Sequence, residues 1–127
     1  MKKILIVDDQ DEVRELVAVT LRADNYHIIQ ASSAMEAIET AAREMPDLIF
    51  MDVMMPGAFD GFEAVRRLKN APETSGLLII MLTAKGQKSD YERGFAVGAD
   101  GYFSKPFSPL ELIRHVNMLL GDPDSGE

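Results

Sequence analysis

The sequence predicts an α/β fold, a (βα)5 three-layer sandwich in which one parallel sheet lies between two layers of helices. Short apolar segments alternate with longer segments whose apolar residues recur at the helical period. Two of the short segments run directly into aspartates, as buried parallel strands do at the rim of a sheet. Alternation of this kind implies a parallel sheet joined by right-handed crossovers.

Five apolar segments are predicted as strands, and they account for every short apolar run between the helical patterns. The predicted strands are residues 3–7, 26–31, 47–51, 77–82 and 101–103. Four of the segments between or after them place apolar side chains on one face of a helix. These are Val13, Leu16, Val17 and Leu21; Ala34, Ala37, Ile38, Ala41 and Ala42; Phe62, Val65 and Leu68; and Leu112, Ile113, Val116, Leu119 and Leu120.

Helix starts are predicted where a capping residue is followed three positions later by glutamate. The pairs are Ser33 with Glu36, Asp60 with Glu63, Ser89 with Glu92, and Ser108 with Glu111. Pro109 fits the first position of the last helix, where a missing N–H costs nothing, and Pro72 closes the third helix. The fourth helix, residues 89–97, is interrupted by Gly94 and ended by Gly98.

The flavodoxin-like strand order 2-1-3-4-5 is the common solution for a chain of this size. It places the first and third strands side by side, so Asp8 and Asp9 meet Asp52 at one rim of the sheet. Residues 1–120 are expected to form one domain. Residues 121–127 are polar and rich in glycine and proline, and we expect a flexible C-terminal tail there.

Composition narrows the class of protein. The 127 residues include no cysteine, which excludes disulfides and thiol catalysis, and no apolar run is long enough to cross a bilayer. We therefore expect a cytoplasmic protein. With 21 acidic and 13 basic residues, the net charge of −8 disfavours direct binding to nucleic acid or to an anionic membrane.

Three carboxylates at one rim repel each other strongly unless a cation joins them, so Asp8, Asp9 and Asp52 predict a divalent metal. Mg²⁺ is the hard cation that suits carboxylates together with a phosphate, and Mn²⁺ is expected to substitute for it. With Thr83 and Lys105 at neighbouring strand ends, the cluster suits phosphoryl transfer to a carboxylate. Asp52 would be the nucleophile that forms an acyl phosphate.

Each of these residues also has a simpler interpretation when it is taken alone. Asp9 could be a helix N-cap, because Glu12 follows three residues later. Asp52 could be a solvated loop residue, Thr83 an ordinary strand-end threonine and Lys105 a surface lysine. A shared site explains all of them at once, and none of the simpler interpretations does.

Other polar residues are assigned outside the cluster. Asp60 is assigned to helix capping. His27 and His115 have no partner at metal-ligand spacing, so we expect both to be structural or solvated.

Five motifs in this order resemble the receiver domain of bacterial two-component response regulators, which has the CheY-like fold. The resemblance covers residues 3–120. It rests on Ile6-Val7-Asp8-Asp9, Met51-Asp52-Val53-Met54-Met55-Pro56, Leu82-Thr83-Ala84, Gly98-Ala99-Asp100-Gly101-Tyr102 and Lys105-Pro106-Phe107.

The resemblance implies a metal site and an acceptor. Asp52 would be the phosphoacceptor and also a ligand of Mg²⁺. Asp9 would bind the metal directly, Asp8 would hold metal-bound water, and the backbone carbonyl of Met54 would complete the protein ligands.

The resemblance also implies a switch. Thr83 and Lys105 would contact the phosphoryl group, and the peptide bond between Lys105 and Pro106 would be cis. The rotamer of Tyr102 would follow the position of Thr83 and change the face formed by the fourth helix, fifth strand and fifth helix.

The partners implied are a histidine kinase or histidine phosphotransfer protein as donor, and a downstream protein target. The domain would catalyse its own phosphorylation and dephosphorylation, as a monomer or a phosphorylation-dependent dimer. No output domain is visible in the sequence, so we expect either a stand-alone receiver or one taken from a longer protein.

Two features near the site depart from the family pattern or vary within it. The family usually has two residues between the loop proline and the following Asp-Gly, whereas Gly57-Ala58-Phe59 supplies three. The shape of this loop and the place of the Met54 carbonyl are therefore open. Lys85 could hold an anionic partner or be solvated.

Three other classes of protein fit the sequence less well. A haloacid-dehalogenase-type phosphatase needs Asp-x-Asp-x-Thr after its first strand, but the sequence there is Asp8-Asp9-Gln10-Asp11-Glu12. A phosphorylation-independent interaction domain usually lacks an acidic residue or the lysine, and this chain keeps them all. A flavin site needs a phosphate cradle where this chain is acidic.

Overall fold

The computed structural model describes residues 1–84 and 88–121. Five parallel strands form one sheet of order β2-β1-β3-β4-β5, which confirms the predicted fold and strand order. The strands are β1 (Lys3–Val7), β2 (His27–Ala31), β3 (Leu48–Asp52), β4 (Leu78–Ala84) and β5 (Gly101–Lys105). The helices are α1 (Asp11–Ala23), α2 (Ala34–Glu44), α3 (Gly61–Asn70), α4 (Lys88–Val97) and α5 (Pro109–Leu120).

Each face of the sheet has its own hydrophobic core. Alternate residues of β1 point to opposite faces, so Leu5 and Val7 join one cluster and Ile4 and Ile6 join the other. The first cluster is completed mainly by α2 and α3, and the second by α1 and α5. This arrangement is the predicted three-layer sandwich.

The strands β4 and β5 extend two residues beyond their predicted ends. Their ladder continues through the pairs Thr83 with Ser104 and Ala84 with Lys105. Likewise β3 includes Asp52, which pairs with Leu82. The candidate site residues therefore belong to the last positions of paired strands, where the backbone holds them firmly.

The helix caps at Ser33, Asp60 and Ser108 are confirmed, because each side chain accepts a hydrogen bond from the backbone N–H three residues later. The cap predicted at Ser89 is wrong. The helix begins at Lys88, so Ser89 lies inside its first turn.

The alternative in which Asp9 caps α1 is also wrong. The N-cap position is Gln10, and its side chain makes no capping bond.

Two features of the sequence fall outside the described residues. These are Lys85 and all but the first residue of the predicted tail, residues 122–127. Within the described part of the chain, no helix is both long enough and apolar enough to cross a membrane.

Candidate functional site

Three carboxylates meet at the carboxyl ends of β1 and β3. Asp8, Asp9 and Asp52 each offer an oxygen, and these oxygens lie within 4.8 Å of one another. Asp8 is fully buried and Asp52 is 7% exposed, whereas Asp9 faces solvent. Sequence reasoning predicted this meeting across the chain. The oxygen-rich, anionic donor set fits a hard divalent cation.

Hydrogen bonds fix both the backbone and the side chain of Asp8. Its backbone N–H donates to the Ala31 carbonyl at 3.2 Å, and its Oδ1 accepts the Gln10 N–H at 2.9 Å. Its own carbonyl accepts from Arg14 Nη1 at 2.7 Å. The buried carboxylate is therefore fixed in place before any metal is bound.

Lys105 joins the carboxylates of two different strands. Its Nζ lies 2.7 Å from Asp8 Oδ2 and 3.1 Å from Asp52 Oδ1. Burial disfavours the charged form of Lys105, but the hydrogen bond to Asp8 and the negative charge of Asp52 outweigh it. The pKa of Lys105 therefore lies above its ordinary value.

The charge of Asp52 is costly in the metal-free protein. Burial, followed by repulsion from Asp8, raises the pKa of Asp52 to about 6, although Lys105 acts in the opposite direction. A carboxylate in this position gains from any cation or electrophile that approaches its open side. Such a group is a candidate for chemistry.

Thr83 carries a hydroxyl that accepts and donates no hydrogen bond within the described part of the chain. It lies one residue beyond Leu82, which pairs with Asp52 in the sheet, and it is 1% exposed. Its Oγ1 has no hydrogen-bond partner among the described residues. Because a buried polar atom without a partner is costly, the hydroxyl is available to a group that enters beside Asp52.

The loop between β3 and α3 returns closely to the strand end. The Gly61 N–H donates to the Val53 carbonyl at 3.0 Å, and a Cβ at Gly61 would lie 2.0 Å from the Asp52 carbonyl oxygen. The three-residue segment Gly57-Ala58-Phe59, one residue longer than is usual in the family, is accommodated in this loop. Phe59 packs against the core and lies 4.1 Å beneath the Arg67 guanidinium.

Tyr102 packs under α4. Its ring centroid lies 4.5 Å from that of Tyr91 and 4.6 Å from that of Phe95. A Cβ at Gly94 would lie 3.0 Å from Tyr102 Cε1, so the absence of a side chain at Gly94 makes room for the ring. Gly94 is also the one buried residue of this ten-residue helix. The hydrophobic core therefore restrains α4 only weakly.

The peptide bond between Lys105 and Pro106 is cis, the isomer that the resemblance implied. Beside it, a groove of about 530 Å³ opens next to Asp52, with walls that include Val13, Leu16 and Phe107. The helical spacing placed Leu16 on the apolar face of α1, yet 41% of it is exposed. This groove was not predicted, since apolar residues from separate elements form it.

Met54 borders the same groove as Asp52, whereas three other predicted residues lie elsewhere. Met54 is 71% exposed at the edge of the groove. His27 is exposed on the edge strand β2, while His115 stacks on Phe103 at 4.8 Å and burial lowers its pKa. Asp60 caps α3. Among the described residues, the side chains of His27, His115 and Asp60 do not join the carboxylate cluster.

Sequence reasoning missed Gly61 and Arg14. The Asp60-Gly61 pair was interpreted as a helix start and as the end of the loop after Pro56, but the contact of Gly61 with β3 is not encoded in local spacing. Arg14 lies in an ordinary helical pattern, and no sequence signal marks its bond to the Asp8 carbonyl.

Residues 4–117 match the model of the response regulator receiver domain. The chain belongs to this family. Receiver domains of this family are signalling domains of two-component systems, and they interact with histidine kinases.

Two curated relatives are similar over nearly the whole chain. The phosphate regulon transcriptional regulatory protein PhoB of Pseudomonas aeruginosa is 42% identical over 126 residues, covering 99% of this chain and 55% of PhoB. The transcriptional regulatory protein ResD of Bacillus subtilis is 43% identical over 118 residues, covering 93% of this chain and 48% of ResD. This receiver domain thus spans about half the length of these curated relatives.

A solved receiver-like structure has the same fold. Chemotaxis protein CheY4 of Vibrio cholerae superimposes with a TM-score of 0.88 at 34% identity. The superposition covers 94% of this chain and 99% of CheY4.

Proposed function

We propose that this receiver domain accepts a phosphoryl group on Asp52 in a Mg²⁺-dependent reaction and thereby changes a surface that binds a protein target. The observation that carries the proposal is the pairing of Asp52 with both Lys105 and a carboxylate cluster. A lone buried aspartate would be an unlikely nucleophile, but one with a cation on one side and metal ligands on the other is suited to an anionic electrophile.

The donor would be a phosphohistidine on a histidine kinase or a histidine phosphotransfer protein. An oxygen of the Asp52 carboxylate attacks phosphorus as the P–N bond breaks. The electron pair of that bond goes to the imidazole nitrogen, which takes a proton from solvent. The donor phosphohistidine would approach Asp52 through the adjacent groove, whose lining includes Asp52 itself.

The chain's own residues would hold the groups in place. Asp9 and Asp52 would bind Mg²⁺ directly with the Met54 backbone carbonyl, and Asp8 would hold metal-bound water. When bound, Mg²⁺ supplies positive charge to the cluster and to the phosphoryl oxygens. Lys105 would move from Asp52 toward the phosphoryl group while keeping its bond to Asp8.

Thr83 would donate its hydroxyl, which has no partner among the residues that the structure describes, to a phosphoryl oxygen. Phosphorylation adds nearly two negative charges and three acceptor oxygens, and only the new contacts bias the equilibrium between two states of the domain. Movement of Thr83 would alter the space beside Tyr102. It would also shift α4, because this helix buries only Gly94 and the core restrains it weakly. Partner binding or dimer formation would follow on the face formed by α4, β5 and α5.

Dephosphorylation would return the domain to its resting state. Water would attack the acyl phosphate in the same Mg²⁺ site, releasing inorganic phosphate and restoring the Asp52 carboxylate. The domain would therefore catalyse its own dephosphorylation.

The test is incubation with acetyl phosphate and MgCl₂, followed by measurement of the intact mass. We expect a gain of one phosphoryl group in the wild type and no gain in Asp52→Asn or in the presence of EDTA. Asp60→Asn is the matched control, because asparagine also caps helices and Asp60 lies outside the cluster. A folded wild type that gains no mass would instead support a phosphorylation-independent interaction domain.

A further inference from the structure

Arg14 connects the first helix to the strand end that carries the metal ligands. Its Nη1 donates to the Asp8 carbonyl at 2.7 Å, and its Nε donates to Gln30 Oε1 on β2 at 3.2 Å. Its Nη2 pairs with Asp11 in the first turn of α1. The side chain is only 14% exposed, so this guanidinium is built into the structure.

The bond to the Asp8 carbonyl affects Asp9 directly. The peptide unit is planar, so fixing the carbonyl oxygen of Asp8 also fixes the direction of the Asp9 N–H and the place of the Asp9 Cα. Asp8 has its own restraints at its N–H and both carboxylate oxygens. Asp9 is exposed and supplies the third oxygen of the cluster, so its position depends on the backbone that precedes it.

We propose that Arg14 is a positioning residue for the metal site: by holding the Asp8 carbonyl, it sets the Asp9 carboxylate at the place where it binds Mg²⁺. The inference rests on the proposed function, because it assumes that the carboxylate cluster binds Mg²⁺. Arginine suits the role because its planar fork directs three N–H groups to three acceptors at once, the Asp8 carbonyl, Gln30 and Asp11. A lysine carries the same charge but cannot bond all three.

The experiment measures the Kd of the full chain for MgCl₂ by isothermal titration calorimetry. Loss of a group that orients a metal ligand typically weakens metal affinity 10- to 100-fold. We expect about a tenfold increase in Kd for Arg14→Ala. Arg22→Ala, an exposed arginine in the last turn of the same helix, is the matched control and should leave Kd unchanged.

Arg14→Lys separates position from charge. A Kd close to that of Arg14→Ala supports positioning, whereas a Kd equal to the wild-type value overturns it, because charge alone would then suffice. Gln30→Ala leaves Arg14 intact but removes one of its hydrogen-bond acceptors, and we expect an increase in Kd that is smaller than for Arg14→Ala. This variant keeps the test decisive if Arg14→Ala does not fold.

The thermal midpoint is recorded for each variant in EDTA. A folded Arg14→Ala with a Kd for Mg²⁺ within twofold of the wild-type value overturns the inference about Arg14. The proposed function still stands in that case if Asp52 of the wild type is phosphorylated. A wild type that binds no Mg²⁺ overturns both, so the two failures are distinguishable.

Discussion

Asp52 is placed where its own charge is unfavourable in the absence of a metal. Its neighbours in the sheet are apolar. The negative charge of Asp8 repels that of Asp52, although Lys105 pairs with both carboxylates. The ionised carboxylate of Asp52 would therefore be stabilised by a bound cation and not by the rest of the fold. A carboxyl group in a cleft whose pKa is raised by burial and by a neighbouring charge is a candidate functional residue.

The stability of the metal-free protein should reveal this cost. The pKa of Asp52 is raised from 3.8 to about 6 in the folded state. Protonated Asp52 therefore stabilises the folded protein. This contribution to the free energy of unfolding is fully present below pH 3.8 and is lost as pH rises through about 6. At neutral pH, Asp52→Asn removes the unfavourable charge. Because solvent screens part of it, we expect the free energy of unfolding to rise by about 1–2 kcal/mol.

The measurement is urea denaturation in EDTA at pH 7.5 and at pH 4.5. The advantage of Asp52→Asn should shrink at the lower pH. Glu39→Gln, which changes an exposed carboxylate of α2, should alter stability at neither pH. An Asp52→Asn variant less stable than the wild type at pH 7.5 would show that the carboxylate stabilises the resting fold.

At the scale of secondary structure, the site depends on how closely α3 approaches the end of β3. The Gly61 N–H reaches the Val53 carbonyl only because Gly61 has no side chain, since a Cβ would lie 2.0 Å from the Asp52 oxygen. The contact is with backbone and cannot be relieved by a rotamer change. Glycine at this position therefore positions the acceptor strand.

Gly61→Ala should lower the free energy of unfolding by about 2–4 kcal/mol, because the helix start and the strand end must move apart. Gly76→Ala is the matched control, since an added Cβ there meets nothing within 4 Å. We expect that substitution to stay within about 0.5 kcal/mol of the wild type. Urea denaturation of both variants checks the prediction, and equal stability would mean that the loop moves aside at little cost.

At the scale of the whole molecule, the topology and the meeting of the three aspartates were predictable from sequence. Apolar periodicity distinguishes strands from helices, and the aspartates that follow the first and third strands indicate the rim. Once the order 2-1-3-4-5 is assumed, Asp8, Asp9 and Asp52 must be neighbours. The prediction succeeds because it depends on the order of elements and not on their exact ends.

Features that depend on contacts between distant backbone atoms were not predictable. The extension of β4 to Ala84 comes from pairing with β5, and the apolar run of the strand ends earlier, at Leu82. The Ser89 cap was wrong because its spacing to Glu92 also occurs within a helix. The bond between Arg14 and the Asp8 carbonyl joins a side chain to a backbone atom, so no periodic pattern records it.

The measurement that tests the central claim most directly is the chemical identity of residue 52 after reaction. Protein treated with acetyl phosphate and MgCl₂ is reduced with borohydride, which converts an aspartyl phosphate to homoserine, and its peptides are sequenced by mass spectrometry. The account predicts homoserine at position 52 and aspartate at positions 8 and 9, with none converted in EDTA. Homoserine at position 8 or 9, or a phosphoryl group on another residue type, would contradict it.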